Sequence, residues 1–274
     1  MSQRSPLIIG HRGASALAPE NTLAAFARAL ADGADGIELD VRLAKDGVPV
    51  VIHDATLRRT GLTSGEVAQM TSEQLANVNV GSWFNRAHPP LARNEYEQQR
   101  VPTLSEVFQF FRDQPGVIYV ELKTDGADSS SDLVRAVSDA IVQFGFQARV
   151  VVVSFELPAI TETKSLNSSI RTGALFAPQR RPNVSWRADS MLHAATDCGA
   201  DELLPHRLLA RPKLTESARP KPASRCLDSG RSSLDRSRQN ARHPRAHHKQ
   251  SGAHACSLES RTCESRTSHV SSSV

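Results

Sequence analysis

Cysteine is scarce in the fold-like part of this 274-residue chain. Of four cysteines only Cys198 falls within residues 1–218, while Cys226, Cys256 and Cys263 lie in a polar C-terminal stretch. This pattern excludes a disulfide framework and offers no Cys/His spacing for zinc. Long apolar runs are missing too. The N-terminus has only Leu7-Ile8-Ile9, too short for the centre of a signal peptide, and no stretch is long enough to cross a bilayer. The expectation is a soluble, cytoplasmic protein without membrane insertion. A third absence is local. No Phe, Trp or Tyr follows Trp186, no Ile follows Ile170, and no Val lies between Val184 and Val270. Residues 219–274, rich in Ser, Arg, His and Pro, cannot bury enough apolar surface to offset chain entropy and are expected to be a disordered tail.

Basic character is also missing from most of the chain, although the formal charge is +4. The tail holds 11 Lys/Arg against 4 Asp/Glu, which leaves 22 against 25 in residues 1–218. The body is mildly acidic, so the overall charge is no argument for a nucleic-acid partner. The tail permits loose, salt-sensitive anion binding. With no aromatic side chain to stack on a base, it has no means of specific nucleic-acid recognition.

The body alternates short apolar runs with amphipathic helical segments, the pattern of a parallel α/β fold. Candidate strands are residues 6–10, 36–43, 117–123, 149–155, 170–176 and 201–206, six in all. Helices are expected over 22–33, with Asn21 as N-cap and Gly33 as stop, and over 103–111 and 132–145. The segment "PVVIHD" (49–54) follows the second strand too closely for a parallel crossover, and Asp46-Gly47 is a two-residue hairpin signal. It should run antiparallel to "GIELDVRL" with paired residue numbers summing to 93, which sets Asp40 opposite His53. Residues 55–100 then form a polar, irregular insertion beside the site.

Chemistry collects at the strand ends. His11 and Arg12 end the first strand, Glu38 and Asp40 lie late on the second, and Glu121 and Lys123 end the third. If the strands close as a barrel, these groups meet at its C-terminal mouth, where such folds carry their active sites. Glu38, Asp40 and Glu121 make an all-oxygen metal site suited to Mg²⁺ or Ca²⁺. Arg12 and Lys123 are candidate phosphate ligands, the arginine bidentate and the lysine a point charge. Lys123 is the weaker member of this pair, being read as alternating with Glu121 across the strand. His11 and His53 can divide general-acid and general-base duty at a phosphate. Asn21 is better explained as a helix cap than as a ligand.

The stretch "GHRGASALAPENTLAAFARALADGADGIELDVRLAKDGVPVVIHDATLRRT" resembles the opening of bacterial glycerophosphodiester phosphodiesterases. HRG, PENT, E-x-D, DG and HD occur in order and at the right spacing, followed by "GSWFN", "VPTLSEVF", "ELK" and "VVVSF". The resemblance covers roughly residues 7–215. It implies a TIM-type (β/α) barrel with a hairpin and small insertion after the second strand, and a divalent metal held by Glu38, Asp40 and Glu121. It also implies His11 and His53 as the acid–base pair and Arg12 on the phosphate. The implied reaction splits a glycerophosphodiester into sn-glycerol 3-phosphate and an alcohol, with attack by the glycerol 2-hydroxyl and a cyclic phosphate on the way. A barrel over 1–218 should have eight strands, and only six parallel ones are legible. The last two are expected to be missing, with the chain after about residue 215 out of frame or lost. The competing expectation is therefore an inactive remnant of such an enzyme whose basic tail binds anions non-specifically.

Overall fold

A computed structural model describes residues 6–124, 130–178 and 186–210. The chain divides into two compact units, Met1–Pro222 and Ala223–Val274, and every described residue belongs to the first. The tail expected over 219–274 lies outside the described residues, as does its expected disorder.

Six strands run parallel: β1 (Ile9–His11), β2 (Gly36–Leu43), β4 (Val117–Leu122), β5 (Val150–Ser154), β6 (Arg171–Phe176) and β7 (Glu202–Pro205), in that spatial order. β3 (Pro49–Val51) pairs antiparallel with β2. Helices α1 (Leu23–Ala31), α4 (Leu104–Phe110), α5 (Ser130–Phe144), α6 (Leu157–Leu166) and α7 (Ala188–Asp197) alternate with the parallel strands. All six parallel strands fall where the apolar runs place them. Among the described residues, β1 pairs with β2 alone and β7 with β6 alone, so the sheet does not close. This is an incomplete α/β barrel, since closure requires the first and last strands to pair.

The two faces of the sheet differ sharply. Ile37, Leu39 and Val41 of β2, Ile118, Val120 and Leu122 of β4, and Val150 and Val152 of β5 are buried with Phe26 of α1, Phe108 of α4 and Val137 of α5. Each such side chain contributes roughly 1.5–3 kcal/mol by leaving water. The alternate positions on the other face carry Glu38, Asp40 and Arg42 on β2, and Tyr119 and Glu121 on β4. Strand period therefore separates a core face from a charged inner face.

Thr22, not Asn21, caps α1: its hydroxyl accepts from the Ala25 amide. Asn21 instead adopts a left-handed conformation (φ 56°), which frees its side chain for another partner. The β2–β3 hairpin is antiparallel as expected but shifted by one residue. Val41 faces Val51 and Arg42 faces Val50, so paired numbers sum to 92 and Asp40 bonds Ile52 rather than His53. The loop has three residues. Gly47 donates to the Ala44 carbonyl at 2.9 Å and itself takes φ +77°, the geometry of a type I turn followed by a left-handed glycine. Asp46, read as half of a two-residue turn, accepts instead from the Ser72 amide and hydroxyl.

The insertion between β3 and α4 contains two short helices, α2 (Ser72–Leu75) and α3 (Ser82–Ala87), and three 3₁₀ stretches. Leu57, Val67, Leu75 and Val80 pack on Val50, Ile52 and Val101. Phe84 and Tyr96 pack on Ala18 and Ala25, and the Tyr96 hydroxyl donates to the Leu17 carbonyl at 3.1 Å. The insertion is thus fastened to the connection that follows β1. Among the described residues, no helix is long and apolar enough to cross a membrane.

Candidate active site

Strand register assembles the charged groups. β1 against β2 sets His11 beside Glu38, and β2 against β4 sets Asp40 beside Glu121. One carboxylate oxygen from each of Glu38, Asp40 and Glu121 lies within 4.8 Å of the others. After His11 the chain turns sharply through two left-handed residues, Arg12 (φ 56°) and Gly13 (φ 78°). This turn points the Arg12 amide at Glu38 Oε2 (2.9 Å) and brings the guanidinium to Asp40, Nε to Oδ2 at 3.0 Å. Arg12 Nη1 also donates to Glu20 Oε1 at 3.0 Å. His11 Nε2 stands 3.8 Å from Glu38 Oε2, with its side chain 67% exposed.

Lys123 was expected on the opposite side of its strand from Glu121. Residues two apart on a strand share a face, and its Nζ is 2.6 Å from Glu121 Oε1 and 3.0 Å from Asp40 Oδ1. Asn21 is a site residue as well: its Nδ2 donates to Asp40 Oδ2 at 2.8 Å and its Oδ1 accepts from the Asp40 amide at 3.2 Å. His53 lies just beyond β3. Its carbonyl accepts from Arg42 Nε at 2.8 Å, and its Nδ1 is 2.6 Å from Asp54 Oδ1, so its ring bonds Asp54 rather than Asp40. It lines a small cavity with Glu20, Asn21 and Thr60.

Three residues without an expected role complete this arrangement. Arg59, in the insertion, donates from Nε to Asp54 Oδ2 and from Nη1 and Nη2 to the two Glu20 oxygens, each at 2.7 Å. Glu20 and Asp54 stand inside the PENT and HD motifs, which was a legible signal. Arg59 lies in an irregular turn, where no periodicity marks a side chain's direction.

Electrostatics distinguish the carboxyl groups. Burial, with Asp40 and Glu121 nearby, pushes the Glu38 carboxyl up to about 8. Asp40 is lowered despite its burial, because the Lys123 ammonium and Arg12 guanidinium face it. Asp54 is held at about 2, also against its burial, by the hydrogen bonds from Arg59 and His53. Burial and the neighbouring Arg12 lower His11. Glu38 Oε1 is buried with no hydrogen-bond partner. An orphaned buried acceptor beside two further carboxylates suits a hard cation, and the all-oxygen donor set suits Mg²⁺ or Ca²⁺.

A family model described as the glycerophosphoryl diester phosphodiesterase family matches residues 11–228. The chain belongs to this family. It is 37% identical over 170 residues to the glycerophosphodiester phosphodiesterase of Caldanaerobacter subterraneus subsp. tengcongensis, covering 62% of this chain and 66% of that protein. It is 40% identical over 118 residues to the glycerophosphodiester phosphodiesterase of Bacillus subtilis, covering 43% of this chain and 40% of that one. The chain thus spans two thirds or less of the length of these family members. Among solved structures, an Oleispira antarctica phosphodiesterase in complex with the product sn-glycerol-3-phosphate superposes with a TM-score of 0.66 at 27% identity. That likeness covers 77% of this chain and 79% of the other.

Proposed function

We propose that this chain hydrolyses glycerophosphodiesters to sn-glycerol 3-phosphate and an alcohol, using a divalent metal and histidine acid–base chemistry. The observation that carries the proposal is the convergence of Glu38, Asp40 and Glu121 with Arg12, Lys123 and His11 at the C-terminal ends of β1, β2 and β4. A relative that holds sn-glycerol-3-phosphate on a similar fold supports the substrate class.

Glu38, Asp40 and Glu121 would hold Mg²⁺ or Ca²⁺, which when bound supplies positive charge to the phosphoryl oxygens. Arg12 Nη1 donates to Glu20, while Nε lies 3.0 Å from Asp40 Oδ2 as an ion pair without a hydrogen bond, so the guanidinium keeps donor capacity for a phosphate oxygen. Lys123, buried between Asp40 and Glu121, adds a fixed point charge. His11 and His53 divide the proton transfers. One imidazole takes the proton of the glycerol 2-hydroxyl as its oxygen bonds phosphorus. The bond from phosphorus to the leaving alcohol breaks, and that oxygen takes a proton from the other imidazole. Water then opens the cyclic phosphate with the roles reversed, returning the proton to the 2-hydroxyl.

The test is release of sn-glycerol 3-phosphate from glycerophosphocholine and glycerophosphoethanolamine by the full chain, with and without Mg²⁺ or Ca²⁺, and with His11→Ala in parallel. Release that needs both metal and His11 is the expected result. Silence from a folded sample would overturn the proposal in favour of an inactive remnant.

A further inference from the structure

We propose that Arg59 is a positioning residue that couples the histidine side of the site to its phosphate side. Through Asp54 it sets the His53 imidazole, and through Glu20 it sets the Arg12 guanidinium. The activity part of this inference rests on the phosphodiesterase reading above.

Arg59 bridges two carboxylates 34 residues apart in the chain. Its Nε edge binds Asp54 Oδ2 and its Nη1/Nη2 fork takes both oxygens of Glu20, all at 2.7 Å. Each carboxylate has a second partner within the site. Asp54 Oδ1 faces His53 Nδ1 at 2.6 Å, and Glu20 Oε1 also accepts from Arg12 Nη1 at 3.0 Å. An unbroken path of charge-assisted contacts therefore runs from His53 through Asp54, Arg59 and Glu20 to Arg12, and on to Asp40. The guanidinium places Nε on one acid and an Nη1/Nη2 fork on both oxygens of the other, and a single ammonium nitrogen on a shorter reach cannot occupy these three positions.

Stability is a poor explanation of this bridge. The Arg59 side chain is 42% exposed, and ion pairs at that exposure add little to folding. Its backbone is held independently: Leu57 and Thr60 on either side are buried, and Gly61 donates to the Leu57 carbonyl at 2.8 Å. The guanidinium carbon also lies 5.9 Å from the Trp83 ring centroid, which confines it on another side. What the bridge does control is direction. An ionised Asp54 can only accept, so in neutral His53 the hydrogen sits on Nδ1 and Nε2 keeps the lone pair. Without Arg59, Asp54 loses one of its two anchors and Glu20 loses its bidentate partner, so the acid that orients His53 and one of the two acids that orient Arg12 are both loosened.

The test compares the full chain with Arg59→Gln and Arg59→Lys, with exposed Arg58→Gln as control. Hydrolysis of glycerophosphocholine is measured in saturating Mg²⁺, together with the histidine side-chain ¹⁵N shifts, His53 being assigned by its loss in His53→Gln. Arg59→Gln is expected to lower kcat by up to about 100-fold, the effect of a catalytic group displaced by about 1 Å, with KM changed much less. Arg59→Lys should resemble Arg59→Gln rather than wild type, because one nitrogen cannot take the places of Nε, Nη1 and Nη2. The Nδ1-protonated signature of His53 should be lost in both, and the effect of Arg59→Gln should shrink on an Asp54→Asn background. A kcat within twofold of wild type, full activity in Arg59→Lys, or an unchanged His53 signature would each overturn the inference. Should wild type release no sn-glycerol 3-phosphate, the functional reading fails and the His53 signature alone decides the role of Arg59. Should Arg59→Gln not fold, Arg59→Lys carries the same test.

Discussion

Two glycines share a left-handed backbone but not their surroundings, and substituting each by alanine separates the two contributions. Gly13 (φ +78°) follows Arg12 at the end of β1, and Gly47 (φ +77°) closes the β2–β3 loop. A Cβ on Gly47 would meet nothing within 4 Å. Its cost is the left-handed penalty of roughly 1–2 kcal/mol, less the roughly 0.4–1 kcal/mol returned because alanine restricts the unfolded chain. A net loss near 1 kcal/mol follows, or about 2–4 °C in Tm for a domain of this size. A Cβ on Gly13 would stand 2.6 Å from the Ala25 carbonyl carbon, 2.7 Å from its oxygen and 2.8 Å from its Cβ. Those first two atoms are backbone of α1, held by the Ala14 amide donating to the Ala25 carbonyl at 2.9 Å, so they cannot rotate away. Overpacking of this kind adds about 1–3 kcal/mol, which lowers Tm by a further 2–12 °C or so. The same displacement would move Arg12, so Gly13→Ala should also lose the proposed phosphodiesterase activity while Gly47→Ala keeps it. Thermal unfolding of the two variants by circular dichroism, with the activity assay in parallel, measures both effects. Equal Tm losses would refute the claim that contact with α1 is what demands glycine at position 13.

Two further predictions concern charge. Asp54 has its carboxyl held at about 2 in the folded chain against an ordinary 3.8, and a lowered acid contributes stability above its unfolded value that disappears as pH falls through the folded one. The gap in urea midpoint between wild type and Asp54→Asn should therefore be small, because these pairs are partly exposed, yet full above about pH 4 and closing towards pH 2; a gap independent of pH would contradict the Arg59–Asp54–His53 contacts. Mg²⁺ or Ca²⁺ is expected to raise the Tm of wild type, by about 2.7 kcal/mol at a hundredfold excess over Kd, and Glu38→Gln should abolish that rise without lowering the stability of the metal-free chain. The second outcome follows because burial and two carboxylates already disfavour the ionised Glu38. A metal-dependent Tm rise that survives in Glu38→Gln would remove Glu38 from the ligand set.

Much of this protein was legible in one dimension. The six parallel strands follow from apolar runs at α/β spacing, and strand alternation alone puts Glu38 and Asp40 on one face. The same alternation puts Glu121 and Lys123 together, two residues apart on one face. The helix stop at Gly33 was likewise readable, being local in its cause: α1 ends at Ala31 and Gly33 follows with φ +90°. Tertiary structure decided everything that depends on where an irregular segment goes. Asp46-Gly47 admits a two- or a three-residue loop, and only the bonds made by Gly47 and Ser72 select the latter, shifting the register by one and moving His53 away from Asp40. Asn21 and Thr22 are both good caps by type; the proximity of Asp40, 19 residues away, assigns the cap to Thr22 and turns Asn21 inward. Arg59 stands inside the stretch that carries the resemblance, but no local period fixes its direction, which is set by Leu57, Thr60, the nearby Asp54 and the distant Glu20. Local periodicity encodes which face of an element a residue occupies, whereas long-range pairing encodes which residues meet across a turn, and only the first is written at the spacing of neighbours.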